Sequence, residues 1–196
     1  MNYSSLLAEV YTLTKRPDLV AETTLGVKSA TLQLHRMDFF SKDLHETGIA
    51  FDTSEYIQTL TYRVLLPRFR QMKYLRKYDN TGGAAGEKLK EVSIEKILDG
   101  YKQERTDIFY LAGDVIQIKS STKEKYYLFG CYLNPSIDPD NFISWVADEY
   151  PYAIIYRAAS IVMKAIGQDT ESAAYDNLAK LEANEILISN LETVGA

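Results

Sequence analysis

Between Ala21 and Glu46, Val27, Ala30, Leu34, Met37 and Leu44, with Ser41 in phase, recur at alternating steps of three and four. That is the helical period, held for about five turns. Leu25, Leu32 and Phe39 add a second stripe at seven-residue spacing on the opposite side. Apolar residues on two sides predict a helix covered on two sides, hence a central one. Thr23 or Thr24 is the expected cap and Gly48 the expected stop. A shorter helix precedes it, capped by Ser4 or Ser5, with Leu6, Leu7, Val10 and Leu13 inward and Pro17 ending it.

After Gly48 the pattern changes. Glu55 to Leu66 is rich in Thr, Tyr, Ile, Val and Leu and reads as a strand. Pro67 makes Arg68 to Tyr78 an edge or broken strand. Asp79 to Gly86 reads as a loop, and Lys90 to Asp99 as a short strand or a helical turn. Asp107 to Leu111 and Val115 to Lys119 read as strands about a Gly113-Asp114 turn. Tyr126 to Leu133 should face the latter across Ser120 to Lys125, and Asn134-Pro135 closes the β region. Helical signals then return: a turn capped by Asp140 with Phe142, Trp145 and Val146, then a helix from Pro151 stopped by Gly167. Its apolar side holds Ile154, Ile155, Ala158, Ile161, Val162 and Ala165. The last helix, capped by Asp169 or Thr170, carries an apolar stripe of Ala174, Leu178, Leu181, Ile188 and Leu191, broken at Glu185. The predicted class is α+β. Helical parts 1–49 and 138–196 form one bundle from both termini, and a β-rich insertion, 50–137, completes a single domain.

Composition adds exclusions. The 196 residues include no apolar run of membrane-spanning length, so no membrane segment is expected. The first residues lack the pattern of a signal peptide. One cysteine, Cys131, leaves no internal disulfide. Charge is unevenly spread. Residues 56–137 carry 14 basic and nine acidic groups, whereas residues 138–196 carry three basic and ten acidic ones. Such polarity suits head-to-tail contact between copies, or a basic face turned to an acidic partner.

Candidate chemistry is sparse. Gly82 to Lys88 lacks the G-x-x-x-x-G-K-[ST] order of a phosphate loop. His35 and His45, ten residues apart on one expected helix, point in different directions and share no metal. Ser41, Asp43 and His45 do not converge as a triad on a helix. His35 reads as a structural histidine and Cys131 as a buried, inert thiol. Asp138, Asp140, Asp148 and Glu149 lack the spacing of a calcium loop and read as solvated caps. No catalytic residue, metal site or cofactor emerges, and the chain is expected to bind rather than catalyse. The distinctive stretch is Tyr56 to Tyr78, which has no acidic residue and carries Arg63, Arg68, Arg70, Lys73, Arg76 and Lys77 among Tyr62, Phe69, Tyr74 and Tyr78. It fits a protein interface, sequence-independent nucleic-acid contact, or an edge strand guarded by charge.

Three stretches resemble the head–tail adaptor proteins of tailed bacteriophages, the short-tailed type first. The opening is Thr14-Lys-Arg-Pro-Asp-Leu with Ala30-Thr31, His35, Asp38-Phe39-Phe40 and Asp43-Leu44. The β part is Phe109 to Asp114 with Ile116, Ile118, Tyr126-Tyr127 and Pro135. The ending is Trp145, Glu149-Tyr150-Pro151, Ala153-Ile154, Ala158-Ala159 and Ile166-Gly167 with the final helix. The resemblance implies a non-enzymatic virion protein, made in the host cytoplasm. It would form a twelvefold ring of copies under the portal protein, extend the channel for packaged DNA and receive a tail or nozzle protein. Arg63, Arg68, Arg70, Lys73, Tyr74, Arg76 and Lys77 would meet the portal, the next copy or the channel DNA. Ile186, Leu187, Ile188 and Leu191, near a fraying end, would dock on the portal. The alternative is a nucleic-acid-binding accessory protein using 63–77.

Overall fold

The structure, a computed structural model, describes residues 1–50, 57–78, 85–98, 108–119 and 126–194, with side chains as far as Asn190. The fold is α+β. It divides into two compact units: Met1–Asp43 with Asn134–Ala196, which is helical, and Leu44–Leu133, which holds the strands.

In the helical unit, α1 (Tyr3–Thr14) is capped by Asn2, whose side chain accepts the Ser5 N–H at 2.8 Å. Leu6 and Val10 are buried, and Leu7 and Leu13 pack beside them. The second helix, α2 (Val20–His35), is shorter than its apolar period implies. It starts at Leu19 without a side-chain cap, so Thr23 lies inside it. It stops at His35 because the chain folds back: His35 Nδ1 meets Asp43 Oδ1 at 2.8 Å. In a continued helix those residues would stand about 12 Å apart along the axis. Asp38 aids the break by accepting the Phe39 N–H. Met37, Ser41 and Leu44 are therefore off the helix, and Gly48 lies in a strand. The second stripe is not a covered face. Leu25 is 66% and Phe39 42% exposed, and Phe40 fills the core instead.

The central element is α6 (Pro151–Ala165), which packs on α1, α2, α5 (Trp145–Glu149) and α7 (Asp169–Val194). Ala153, Ile154, Ile155, Ala158, Ala159 and Val162 are all fully buried, so α6 is surrounded where α2 is not. The turn before α5 is capped by Asp138 and α5 itself by Ser144, not by Asp140. Gly167 ends α6 at φ +76°. Its N–H reaches the Lys164 carbonyl and the Gln168 N–H the Met163 carbonyl, a Schellman closure.

The last helix overturns its expected orientation. Its buried side is Ser172, Ala179, Ala183 and Ile186, whereas Leu178, Leu181 and Ile188 are 41%, 63% and 57% exposed. Small residues let α7 lie close on α6, where Ser172 Oγ donates to the Ser160 carbonyl at 3.0 Å. Of the larger apolar residues, Ile186 is inward, while Leu178, Leu181 and Ile188 are left on the outer side.

The β unit holds β1 (Leu44–Ala50), β2 (Ile57–Thr61), β3 (Phe69–Tyr78), β4 (Ala85–Lys88), β5 (Lys90–Glu91), β6 (Ile108–Ala112), β7 (Val115–Lys119) and β8 (Tyr126–Leu133). Two short helices, α3 (Tyr62–Leu65) and α4 (Ile94–Leu98), interrupt them. One sheet runs β1-β8-β3-β4 and the other β2-β7-β6-β5. Residues 44–49, expected to be helical, pair with β8. Glu55 and Tyr56 lie outside the described residues, and the strand expected through Leu66 ends at Thr61, where α3 begins. β3 is no edge strand: β8 pairs one side and β4 caps part of the other. β7 and β8 are in different sheets, because β8, buried from Phe129 to Tyr132, is a central strand between β1 and β3. The sheets share one core, with Ile49, Leu75, Phe129 and Cys131 from one and Phe109, Ile116 and Ile118 from the other.

Burial separates two neighbouring aromatics in a stability test. Phe40→Ala should cost ~3–5 kcal/mol and Leu34→Ala ~2–5 kcal/mol, as for buried large-to-small changes, while Phe39→Ala should cost ~0.5 kcal/mol or less. Urea denaturation gives the ranking, and equal losses at Phe39 and Phe40 would contradict the chain reversal after His35.

Candidate functional site

Four polar side chains meet inside the helical unit. His35 Nδ1 bonds Asp43 Oδ1 at 2.8 Å, and His35 Nε2 bonds Ser144 Oγ at 2.9 Å. Trp145 Nε1 donates to the same Asp43 oxygen at 2.8 Å. The imidazole with its proton on Nδ1 satisfies all of them: it donates to Asp43 and accepts from the Ser144 hydroxyl. The serine–histidine–aspartate connectivity is that of a nucleophilic triad. Its setting is not. Ser144 is buried and its Oγ also accepts the Ala147 N–H, capping α5. A serine so occupied is built to hold two segments together rather than to attack a substrate. Phe40 and His35 pack edge-on to Trp145, Lys42 lies 5.1 Å over its ring, and Lys42 also pairs with Glu149. Sequence reasoning read His35 as structural but missed its partners, because 109 residues separate it from Ser144.

A cleft of about 420 Å³ lies between α2, α6 and α7, floored by Leu34, Met37 and Ala179. On its rim Arg157 bonds Gln33 and pairs with Asp176, which also pairs with Lys180 at 2.7 Å. The hydrogen bond from Lys180, then the nearby Arg157 charge, hold the Asp176 carboxyl below the ordinary carboxylate range against the opposing effect of burial.

The basic stretch does not form one patch. Arg63 is exposed on α3, 5.9 Å over the Tyr62 ring, beside Val64 and Leu65, which are 77% and 55% exposed. Arg68 and Arg70 are half-buried. Along β3 the register slips at Arg70 and at Lys73, where two residues oppose one on β8. The second bulge turns Lys73 onto the Tyr132 ring at 5.6 Å. Tyr74 lies over Gly130, where an added Cβ would come within 2.5 Å of the ring, and Arg76 stacks on Tyr74 at 5.6 Å. Lys73, Tyr74 and Arg76 thus share the outer sheet face, while Lys77, opposite the core residue Tyr127, alternates away from them. The bulges could not be read from alternation, which they break.

The expected docking residues also separate. Ile186 is buried in the helical core, Leu187 is half-buried against it, and Ile188 is exposed. At 100° per residue Ile186 falls on the side toward α6 and Ile188 on the other. The backbone at Leu191 is helical, and its side chain lies outside the described residues. Of the other candidate residues, His45 is on β1 and Gly86 to Lys88 on β4, with 82–84 outside the described residues. The thiol of Cys131 is buried and pushed up to about 11. No helix among the described residues is long and apolar enough to cross a membrane. No known family model matches the chain, and no curated protein matches it in sequence.

Two measurements follow from this geometry. Asp43→Ala strands the Trp145 and His35 N–H groups in the interior, at ~1–3 kcal/mol for each buried donor left unsatisfied. A variant as stable as the parent in thermal unfolding would show that the array bears no weight. Asp176 has a depressed folded pKa, so its contribution is present above the unfolded value and lost as pH falls through the folded one. Asp176→Asn should therefore lower stability by ~0.5–1 kcal/mol at pH 7, and the difference should vanish in acid below the usual carboxylate range. Urea midpoints at the two pH values check it, and a deficit that persisted in acid would point to packing instead.

Proposed function

We propose that this protein is a structural head–tail adaptor of a bacteriophage virion. Copies form a ring beneath the portal, extend the DNA channel and receive the tail or nozzle protein. The supporting observation is that one chain carries two exposed surfaces of opposite character. The outer side of α7 is apolar within a helix holding six acidic residues and one lysine. The region from α3 through β3 is basic and aromatic. Surfaces of that kind suit assembly into a closed ring. The resemblance carried by Thr14–Leu44, Phe109–Pro135 and Trp145–Gly167 supplies the place of assembly, the head–tail junction.

Binding residues are reassigned within this reading. Ile186 and Leu187, first expected to dock on the portal, support the core instead, and Ile188, with Leu178 and Leu181, is the part of the helix open to a neighbouring copy. Arg63, Lys73 and Arg76 are the basic residues best placed to meet a partner.

Mixing the protein with a portal ring from a short-tailed phage and imaging by electron microscopy tests the proposal. The expected result is an added ring coaxial with the portal, and the double variant R63E/K73E should reduce its occupancy several-fold while leaving the monomer folded. A protein that ignores the portal but binds DNA with steep salt dependence would support the accessory nucleic-acid-binding reading instead.

A further inference from the structure

On α7, Ala174, Leu178, Leu181, Glu185 and Ile188 recur at steps of four, three, four and three, and all are exposed. This is a heptad seam about 21 Å long, on the side opposite the buried Ser172, Ala179, Ala183 and Ile186. A seam of this length on a helix already packed along its other side calls for an occupant. A second α7 fits badly, because the helix holds six acidic residues and one lysine, and self-pairing would bring like charges together. The chain itself offers a surface of the matching kind. On α3 and the turn after it, Val64 and Leu65 are exposed and flanked by Arg63 and Arg68, in a stretch, 62–78, with six basic residues and no acidic one.

We infer that copies of this protein associate head to tail, with the α3 knob of one copy seated on the outer seam of α7 of the next. Val64 and Leu65 enter between Leu178, Leu181 and Ile188, and Arg63 lies toward Glu185. This deepens the ring reading proposed above by naming the two surfaces that meet. The contact is heterologous, so each copy keeps one free knob and one free seam. It is also small. A handful of apolar residues a side falls well short of the about 1,000 Å² that a stable interface buries, so the free protein associates weakly and completes its contacts on a template.

Site-directed disulfide trapping tests the pairing on the whole chain. The native Cys131 is buried with its thiol pushed up to about 11, so it stays silent under copper–phenanthroline oxidation near neutral pH. Variants V64C and L181C are mixed at high concentration and oxidised. The expected result is a cross-linked heterodimer in the mixture, little product from either variant alone, and a ladder of higher species from the double variant. Adding R63E to the V64C copy should cut the yield several-fold, and E185R in the L181C copy should restore it. Efficient dimerisation of L181C alone would replace the inference with symmetric pairing of α7. No mixed product, or R63E yields that E185R does not rescue, would overturn it outright. The portal experiment is independent: trapped heterodimers without portal binding would leave the contact standing and remove the adaptor reading, and the reverse outcome would do the opposite.

Discussion

The bond between His35 and Asp43 is the constraint on which the rest of the helical unit depends. It turns the chain back at the end of α2, against a hydrophobic period that would have carried the helix on. The reversal delivers Phe40 to the core and brings Asp43 to the indole of Trp145. It also joins the two ends of the sequence, since His35 and Asp43 precede the strands while Ser144 and Trp145 follow them. A buried polar cluster of this kind is a poor source of net stability but a strong selector of one arrangement. Losing this closure would strand the indole N–H and the imidazole N–H that now share one Asp43 oxygen.

Much of the element order was legible from periodicity. β6, β7, β8, the Gly113-Asp114 turn, the Pro151 start and the Gly167 stop all lie close to where pattern and turn chemistry placed them. The failures share a cause. A three–four spacing says that a face is to be covered, not by what. In α2 the period ran through a reversal enforced by a contact eight residues along, and in α7 the stripe found was the outer one. Packing of α7 on α6 relies on Ser172, Ala179 and Ala183, residues too small to stand out in an apolar count. The candidate site was harder still. Bulges at Arg70 and Lys73 redirect basic side chains in a way that no alternation rule anticipates, and Gly130 is legible only once Tyr74 is seen lying on it.

Charge follows the same division of labour as the fold. Acidic groups concentrate on the last helix, and the basic run occupies α3 and β3, so the sign of the surface changes with the element that carries it. Several of the basic groups rest on aromatic rings of their own unit, Lys73 on Tyr132 and Arg76 on Tyr74. Rings hold these side chains with less loss of reach than carboxylate partners would, and leave their charge unneutralised.

The pairing of β1 with β8 has a consequence for how such a chain varies. Leu44, the first residue of the β unit, is the register partner of Tyr132, one residue before its last. The polypeptide enters and leaves that unit at neighbouring points, ~5 Å apart between paired backbones. A segment with such closely spaced ends is a cassette. It can be lengthened, trimmed or exchanged for another of like spacing while the helices before and after it keep their own closure.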